Sequence, residues 1–346
     1  MLSIPRTIEW VNGKVKFINQ LKLPYKFEYL ETDDWLRLAE AIRRMEIRGA
    51  PAIGIAAAFS IALAARHIKA KSLNEAIDEL VKCAGIIKGT RPTAVNLAWA
   101  IDRVLAAAKT ATSLDELGEK TLESALKIQQ MDEEANRKIG ELGEKLINDG
   151  DTVMTICNAG SLATSCYGTA TAPIYLAHEK GKMVNVIALE TRPYLQGARL
   201  TAWELSRAGI SVKVITDNAV GIVLQKHHVD LIITGADRIT RKAYVANKVG
   251  TYPLALLAKE HSVPFYIAAP TSTFDLSIET GEEIPIEERP SEEVIYVFGK
   301  RITPEGVEAI YYAFDVTPPK LINGIITERG IVYPPYEKSI KQLFSI

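Results

Sequence analysis

The chain has 346 residues, 47% hydrophobic and 24% charged, and 41 Lys and Arg against 42 Asp and Glu leave a net charge of −1. Length and apolar content suffice for a large core and favour two domains over one. The absence of a basic block argues against a nucleic-acid binder, which needs a cationic face to neutralise phosphates.

In chain order, the first residues, Met1 to Arg6, lack the apolar stretch of a signal peptide. Residues 1–32 then read as short strands: Val15–Ile18 and Phe27–Leu30 have β character, and Gly13 and Pro24 punctuate them. Thr32 or Asp33 caps a helix whose apolar face is Trp35, Leu38, Ala39, Ile42 and Met45, running out at Arg48-Gly49. Ala50 to Ala65 is the longest uncharged run of note. It is short for a bilayer and reads as a buried helix, so no membrane span is expected. Pro51 suits its first turn, which leaves the amides near Gly49 and Ala50 to face a ligand, with Arg48 as a forked cation beside them. A tight helix–helix turn with a surface Arg is the competing reading. The arrangement recurs at Thr90-Arg91-Pro92-Thr93, ahead of a helix carrying Leu97, Ile101, Val104, Leu105 and Ala108 on one face. Two such arginines suggest cations held at helix starts, where a guanidinium binds phosphate in a bidentate way.

Residues 113–148 read as two helices, the second, Asp132 to Ile147, charged and largely solvated. The expected division is a mainly helical domain with short strands over residues 1–130 and an α/β domain over 131–346. In the second, Thr152–Ile156, Val184–Leu189, Val212–Thr216, Leu231–Thr234 and Phe265–Ala269 are apolar runs separated by helical stretches. That is the spacing of βαβ units, hence a Rossmann-like parallel sheet. Ligands bind such sheets beyond the carboxyl ends of the strands. Cys157 follows the first strand in a small-residue loop leading into a helix, where its thiol pKa would be lowered, although a buried structural cysteine is the commoner case. Glu190-Thr191-Arg192-Pro193 and Gln196 follow the second, and Asp217, read as an N-cap, follows the third. Asp237 follows the fourth, with Asn247 and Lys248 shortly before the helical run Tyr252–Glu260. A carboxylate at a buried strand's rim is costly without a bonding partner or a task. Helix capping is its ordinary alternative.

No glycine-rich dinucleotide fingerprint, P-loop or nucleophile elbow follows any strand. Cys83, Cys157 and Cys166 show no zinc spacing and fit a reducing cytoplasm, with a Cys157–Cys166 disulfide as the lesser alternative. The histidines at 67, 178, 227, 228 and 261 form no ligand pattern, and His227-His228 reads as the polar end of a helix. Residues 279–293 read as a solvated loop or an arm over a partner subunit, and 318–328 as a last helix.

Several blocks together carry a resemblance: Arg48-Gly49-Ala50-Pro51-Ala52-Ile53-Gly54, Arg91 to Asn96, Cys157-Asn158-Ala159-Gly160, Glu190 to Pro193, Gln196 to Leu205, Gly235 to Ile239, and Asn247 to Tyr252. In this order and spacing the chain resembles the methylthioribose-1-phosphate isomerases, the aldose–ketose isomerases of methionine salvage, over nearly its whole length. The wider superfamily includes ribose-1,5-bisphosphate isomerases and regulatory subunits of a translation initiation exchange factor, which are the alternative functions. Two departures stand out: Ile156 replaces a His that often precedes the Cys, and Arg241 to Val245 replace a common Asn-Gly-Asp. The resemblance implies Asp237 as general acid or base and Cys157 as its partner. Arg48, Gly49, Ala50, Arg91, Gln196, Asn247 and Lys248 would hold a phosphorylated sugar. It further implies no metal, no organic cofactor and a homodimer, while the sparse cysteines point to a cytoplasmic location.

Overall fold

A computed structural model describes residues 4–92, 94–286 and 288–345. Thr93 and the opening Met1–Ser3, which belong to segments read above, lie outside them. Among the described residues the chain divides into two units: Ile4–Ala135 with Ser161–Gly168, and Asn136–Gly160 with Thr169 onward.

The first unit opens with an antiparallel sheet of β1 (Ile8–Val11), β2 (Lys14–Ile18) and β3 (Tyr29–Thr32), in which Phe17 faces Ile8 on one side and Leu30 on the other. Helix α1 (Trp35–Arg43) is capped by Asp34, whose carboxylate accepts from the Leu36 N–H at 2.8 Å, and it ends well before Arg48. Helix α2 (Ala50–His67) is apolar all round, long enough to cross a bilayer by composition, but 78% buried. A helix without a polar face is stable in water only as the core of its unit. Around it lie α1, α3 (Leu73–Lys88), which sequence periodicity had not singled out, and α4 (Val95–Ala108). Helix α5 (Leu114–Gly143) is one continuous element of 30 residues, not two helices. Gln129, Gln130, Met131 and Asp132 offer neither a proline nor a glycine to stop it.

The second unit is the α/β unit. Its sheet contains β4 (Thr152–Thr155), β5 (Asn185–Leu189), β6 (Ser211–Ile215) and β7 (Leu231–Thr234), with helices α6 (Ala172–Glu179), α7 (Ala202–Arg207) and α8 (Val220–Lys226) in the connections. A hairpin of β8 (Arg238–Thr240) and β9 (Val245–Lys248) leads to α9 (Thr251–Glu260) and β10 (Phe265–Ala268). Then come β11 (Phe274–Asp275), α10 (Glu292–Ile295), the pair β12 (Tyr296–Val297) and β13 (Lys300–Arg301), β14 (Phe314–Thr317), β15 (Gly324–Thr327), β16 (Gly330–Val332) and α11 (Tyr336–Phe344). The main sheet has the order β16-β15-β10-β7-β4-β5-β6, all parallel except the β16 edge. All four residues of β7 are buried, as a near-continuous apolar run in a covered parallel sheet should be. The helix expected over 318–328 is absent. Ile325, Ile326 and Thr327 form β15 instead, because β-branched residues fit the pleated surface beside β10.

The strand order sets the site. From β4 the chain lays down β5 and β6 on one side, then crosses to place β7 on the other side of β4. This reversal opens a crevice at the carboxyl ends of β4 and β7, where ligands of such sheets bind.

Candidate active site

Cys157 stands two residues beyond β4, and Asp237 three beyond β7. The two loops touch: a Cβ at Gly235 would lie 2.5 Å from Ala159 Cβ, so only glycine allows the approach. Both side chains are half-buried.

The Cys157 backbone is strained, with φ of +66° in a non-glycine residue. Two buried threonines hold it. Thr191 Oγ1 accepts from the Cys157 N–H at 2.9 Å and donates to Leu189 O at 3.0 Å. Thr201 Oγ1 donates to Cys157 O at 2.7 Å and accepts from Asn158 Nδ2 at 3.1 Å. Both peptide groups flanking the thiol are therefore fixed by hydroxyls that are themselves fixed. Thr191 is anchored in turn by Asp217, whose carboxylate accepts from the Thr191 and Arg192 N–H groups, each at 2.7 Å. Asp217 thus ties the end of β5 to the end of β6, a role different from the N-cap expected of it. Burial, with the Asp217 charge nearby, raises the Glu190 carboxyl above its ordinary range. No α-helix starts at the Cys157 loop; only the short 3-10 turn Ser161–Ala163 intervenes before α6, so helix-start amides do not explain the thiol. Among the described residues none of Cys83, Cys157 and Cys166 is in a disulfide, so the disulfide alternative is not realised; burial pushes the Cys166 thiol up to about 12.

Asp237 begins the β8–β9 hairpin, its N–H donating to Ala246 O at 2.9 Å. Asn247 and Lys248 lie on β9 itself, both buried, rather than in a loop. Asn247 Nδ2 donates to Thr251 Oγ1 at 3.0 Å, and that hydroxyl donates to Lys248 O at 2.7 Å. Lys248 Nζ sits 4.9 Å above the Phe314 ring and 3.4 Å from the Tyr311 hydroxyl. Asp315 on β14 caps α9, accepting from the Gly250 and Tyr252 N–H groups at 2.7 and 3.1 Å. Burial raises its carboxyl to about 6, against the lowering effect of those bonds and of Lys248. Gln196 is buried ahead of the π-helical turn Gly197–Thr201, and its Oε1 has no hydrogen-bond partner among the described residues. A buried amide oxygen left unbonded is costly, so it is open to a bond from a water or a ligand.

The remaining expected binding residues belong to the helical unit. Arg48 is half-buried, and Gly49, at φ of +95°, is the N-cap of α2. A Cβ there would sit 2.4 Å from Ala163 Cα, so the backbone turn depends on glycine. Ala50 opens the helix, with Pro51 in its first turn as expected. Arg91 does not repeat this arrangement. Helix α4 starts at Val95 with Ala94 as its cap, so Pro92 lies outside it, and Arg91 instead closes a turn through its carbonyl to the Ala94 N–H at 3.1 Å.

Residues 279–293 are only partly a solvated loop. Arg289 Nε meets Glu293 Oε2 at 2.8 Å with both side chains largely buried, and Arg192 Nη2 donates to Val294 O at 2.9 Å. Of the departure at residues 241–245, Arg241 to Tyr244 form the turn of the β8–β9 hairpin, where Lys242 pairs with Glu279 at 2.8 Å, and Val245 opens β9. Ile156 is fully buried and packs against Gly250. His227 ends α8, as its neighbour pattern suggested. Among the described residues no group of three or more His, Cys, Asp or Glu side chains could hold a metal ion.

Comparison with known proteins places this arrangement. Residues 46–334 match the model of the initiation factor 2 subunit family. A methylthioribose-1-phosphate isomerase of Acetivibrio thermocellus is 50% identical over 339 residues, 97% of this chain and 99% of the relative. One of Thermotoga neapolitana is 49% identical over 341 residues, 99% and 98% of the two chains. Among solved structures, 5-methylthioribose 1-phosphate isomerase from Pyrococcus horikoshii has a TM-score of 0.94 at 46% identity, over 99% and 97% of the chains. A translation initiation factor eIF-2B delta subunit from A. fulgidus has a TM-score of 0.91 at 47% identity, over 99% of each chain. With its crevice, its clamped thiol and near full-length identity of about half to these relatives, the chain belongs to the methylthioribose-1-phosphate isomerases of the initiation factor 2 subunit family.

Proposed function

We propose that the chain is an aldose–ketose isomerase converting 5-methylthioribose 1-phosphate to 5-methylthioribulose 1-phosphate, with Asp237 and Cys157 as its catalytic pair. The observation that carries this reading is their placement on the two sides of the crevice between β4 and β7, in loops that touch through Gly235 and Ala159.

The phosphate on the anomeric oxygen prevents ring opening by simple proton loss. Asp237 donates a proton to the ring oxygen as the bond from that oxygen to C1 breaks. A hydrogen then moves from C2 to C1, and the C2 hydroxyl loses its proton as the ketone forms, which returns the proton to Asp237. Two routes conserve atoms and charge. In one, the C2 hydrogen crosses to C1 with its electron pair while Cys157 stabilises charge. In the other, the Cys157 thiolate takes the C2 proton, an enol forms, and C1 is protonated. Deuterium at C2 separates them: it stays on C1 in the first and exchanges with solvent in the second.

Lys248, Asn247 and Gln196 bind substrate in the α/β unit, and the unbonded Gln196 amide oxygen supports that role. Arg48, Arg91 and the amides at Gly49 and Ala50 hold the phosphate. The active species is a homodimer in the cytoplasm, expected at twice 38.1 kDa by light scattering.

The regulatory reading is favoured by the solved relative from A. fulgidus, a translation initiation factor eIF-2B delta subunit. A clamped thiol at strained φ opposite a carboxylate supports catalysis instead, since a sensing module has no use for that strain. The test is turnover of methylthioribose 1-phosphate and ribose 1,5-bisphosphate in parallel. Conversion of the first alone supports the proposal. Conversion of the second alone moves the activity to bisphosphate chemistry, and inactivity on both favours the regulatory reading.

A further inference from the structure

Residues 288–311 bring to the site a group that neither sequence motifs nor resemblance assigned. Glu288 bridges Tyr312, and the Arg289 N–H donates to Tyr311 O at 2.9 Å, so this segment returns along itself and fixes Tyr311. Tyr311 is 4% exposed. Its hydroxyl lies 3.4 Å from Lys248 Nζ, and the charges of Glu293, Arg289 and Cys157 reach it. An ammonium can only donate, so the bond from Lys248 uses a lone pair of the phenol oxygen. The phenol proton has no acceptor among the described residues. Tyr194, nearby, differs: its hydroxyl is engaged by Glu293 and Arg289.

We propose that Tyr311 is a further catalytic residue, its buried O–H donating a hydrogen bond to a substrate oxygen beside Cys157 while Lys248 holds the phenol oxygen. As the C2 hydroxyl gives up its proton ahead of the departing hydrogen, its oxygen takes on alkoxide charge, and a fixed neutral donor there stabilises the transition state more than the bound sugar. Burial holds the phenol above its ordinary range, so it keeps its proton at neutral pH. The Lys248 contact polarises that O–H without removing the proton.

The inference rests on the proposed pairing of Asp237 with Cys157, and the experiment separates the two. Steady-state kinetics on the full-length enzyme compare wild type, Tyr311→Phe, Cys157→Ala and Asp237→Asn with methylthioribose 1-phosphate. Tyr311→Phe keeps the ring and removes only the hydroxyl. Its kcat should fall about 10- to 100-fold with KM within about twofold and an unchanged thermal midpoint. A kcat within about twofold of wild type overturns the proposal, as does a loss confined to KM, which would mean that Tyr311 acts only through Lys248. Should Tyr311→Phe fold poorly, fluorinated tyrosines placed at 311 keep the donor and change its acidity. The proposal expects kcat to track that acidity, and a flat series overturns it. If Cys157→Ala and Asp237→Asn both retain turnover, the pairing itself fails and this inference with it. If they are inactive while Tyr311→Phe runs at full rate, only this inference fails.

Discussion

The strand ends of the α/β unit and the helix starts of the helical unit use different means to present polar groups. At Cys157 the backbone is strained and both flanking peptide groups are held by threonines that are themselves bonded, with Asp217 behind one of them. Arg48 and Arg91 are half-buried residues next to a helix cap or a turn. Fixed geometry matters where reacting atoms must meet, because small misplacements cost large factors in rate. Longer-range attraction between a cation and a phosphate tolerates more latitude. The difference teaches which residues should govern kcat and which KM.

The largest effect is expected at Asp237. Asp237→Asn should lower kcat at least about 10³-fold with the fold intact, measured by turnover and by thermal midpoint. Retention of more than a tenth of the rate would break the contrast at its strongest point. Arg91→Ala should raise KM by about 10- to 100-fold and leave kcat within a few-fold, with product binding by calorimetry showing the same factor. A loss of kcat of equal size would mean that the helical unit also sets the reacting geometry. Thr191→Val and Thr201→Val should each lower kcat about 10-fold at unchanged KM, and Thr191→Ser should recover most of it. Recovery by serine is the informative part, since it restores the hydroxyl and not the methyl packing. The smallest effect concerns stability. The Asp315 carboxyl is raised to about 6 by burial, so its folded form holds a proton that the unfolded chain releases near pH 4. The folded state is therefore favoured by this group below that lower value, and the contribution is lost as pH rises through about 6. Relative to Asp315→Asn, wild type should lose about 2–3 kcal/mol between pH 4 and 7 in denaturant titrations. A difference that stays flat across that range would show that Asp315 is not buried against its charge.

Much of this was legible in the sequence. The five main parallel strands were visible because buried strands read as short β-branched runs, and Leu231–Thr234 is the clearest of them. The helix at Ala50 was visible from its uniform apolarity. The fold of 318–328 was not, because the apolar run Leu321 to Ile326 fits a strand or a helix equally in isolation, and pairing with β10 decides it. The join within α5 was missed because a change in charge was taken for a break that no residue enforces. Of the candidate site, Cys157 and Asp237 stood out as polar groups at strand ends, and Asn247 and Lys248 as polar groups just before a helical run. The threonine clamp did not. Thr191 and Thr201 are ordinary residues until the sheet brings the ends of β4 and β5 together, although Thr191 lay in a block already noted after β5. Tyr311 left no signal at all, since the stretch before β14 shows no helical or strand period.

The most direct test measures turnover and product binding on one preparation of Asp237→Asn. The account predicts no detectable conversion of methylthioribose 1-phosphate together with wild-type affinity for the ketose product. Conversion at a rate near wild type, or loss of binding and turnover in the same proportion, would contradict the assignment of the acid at the crevice between β4 and β7.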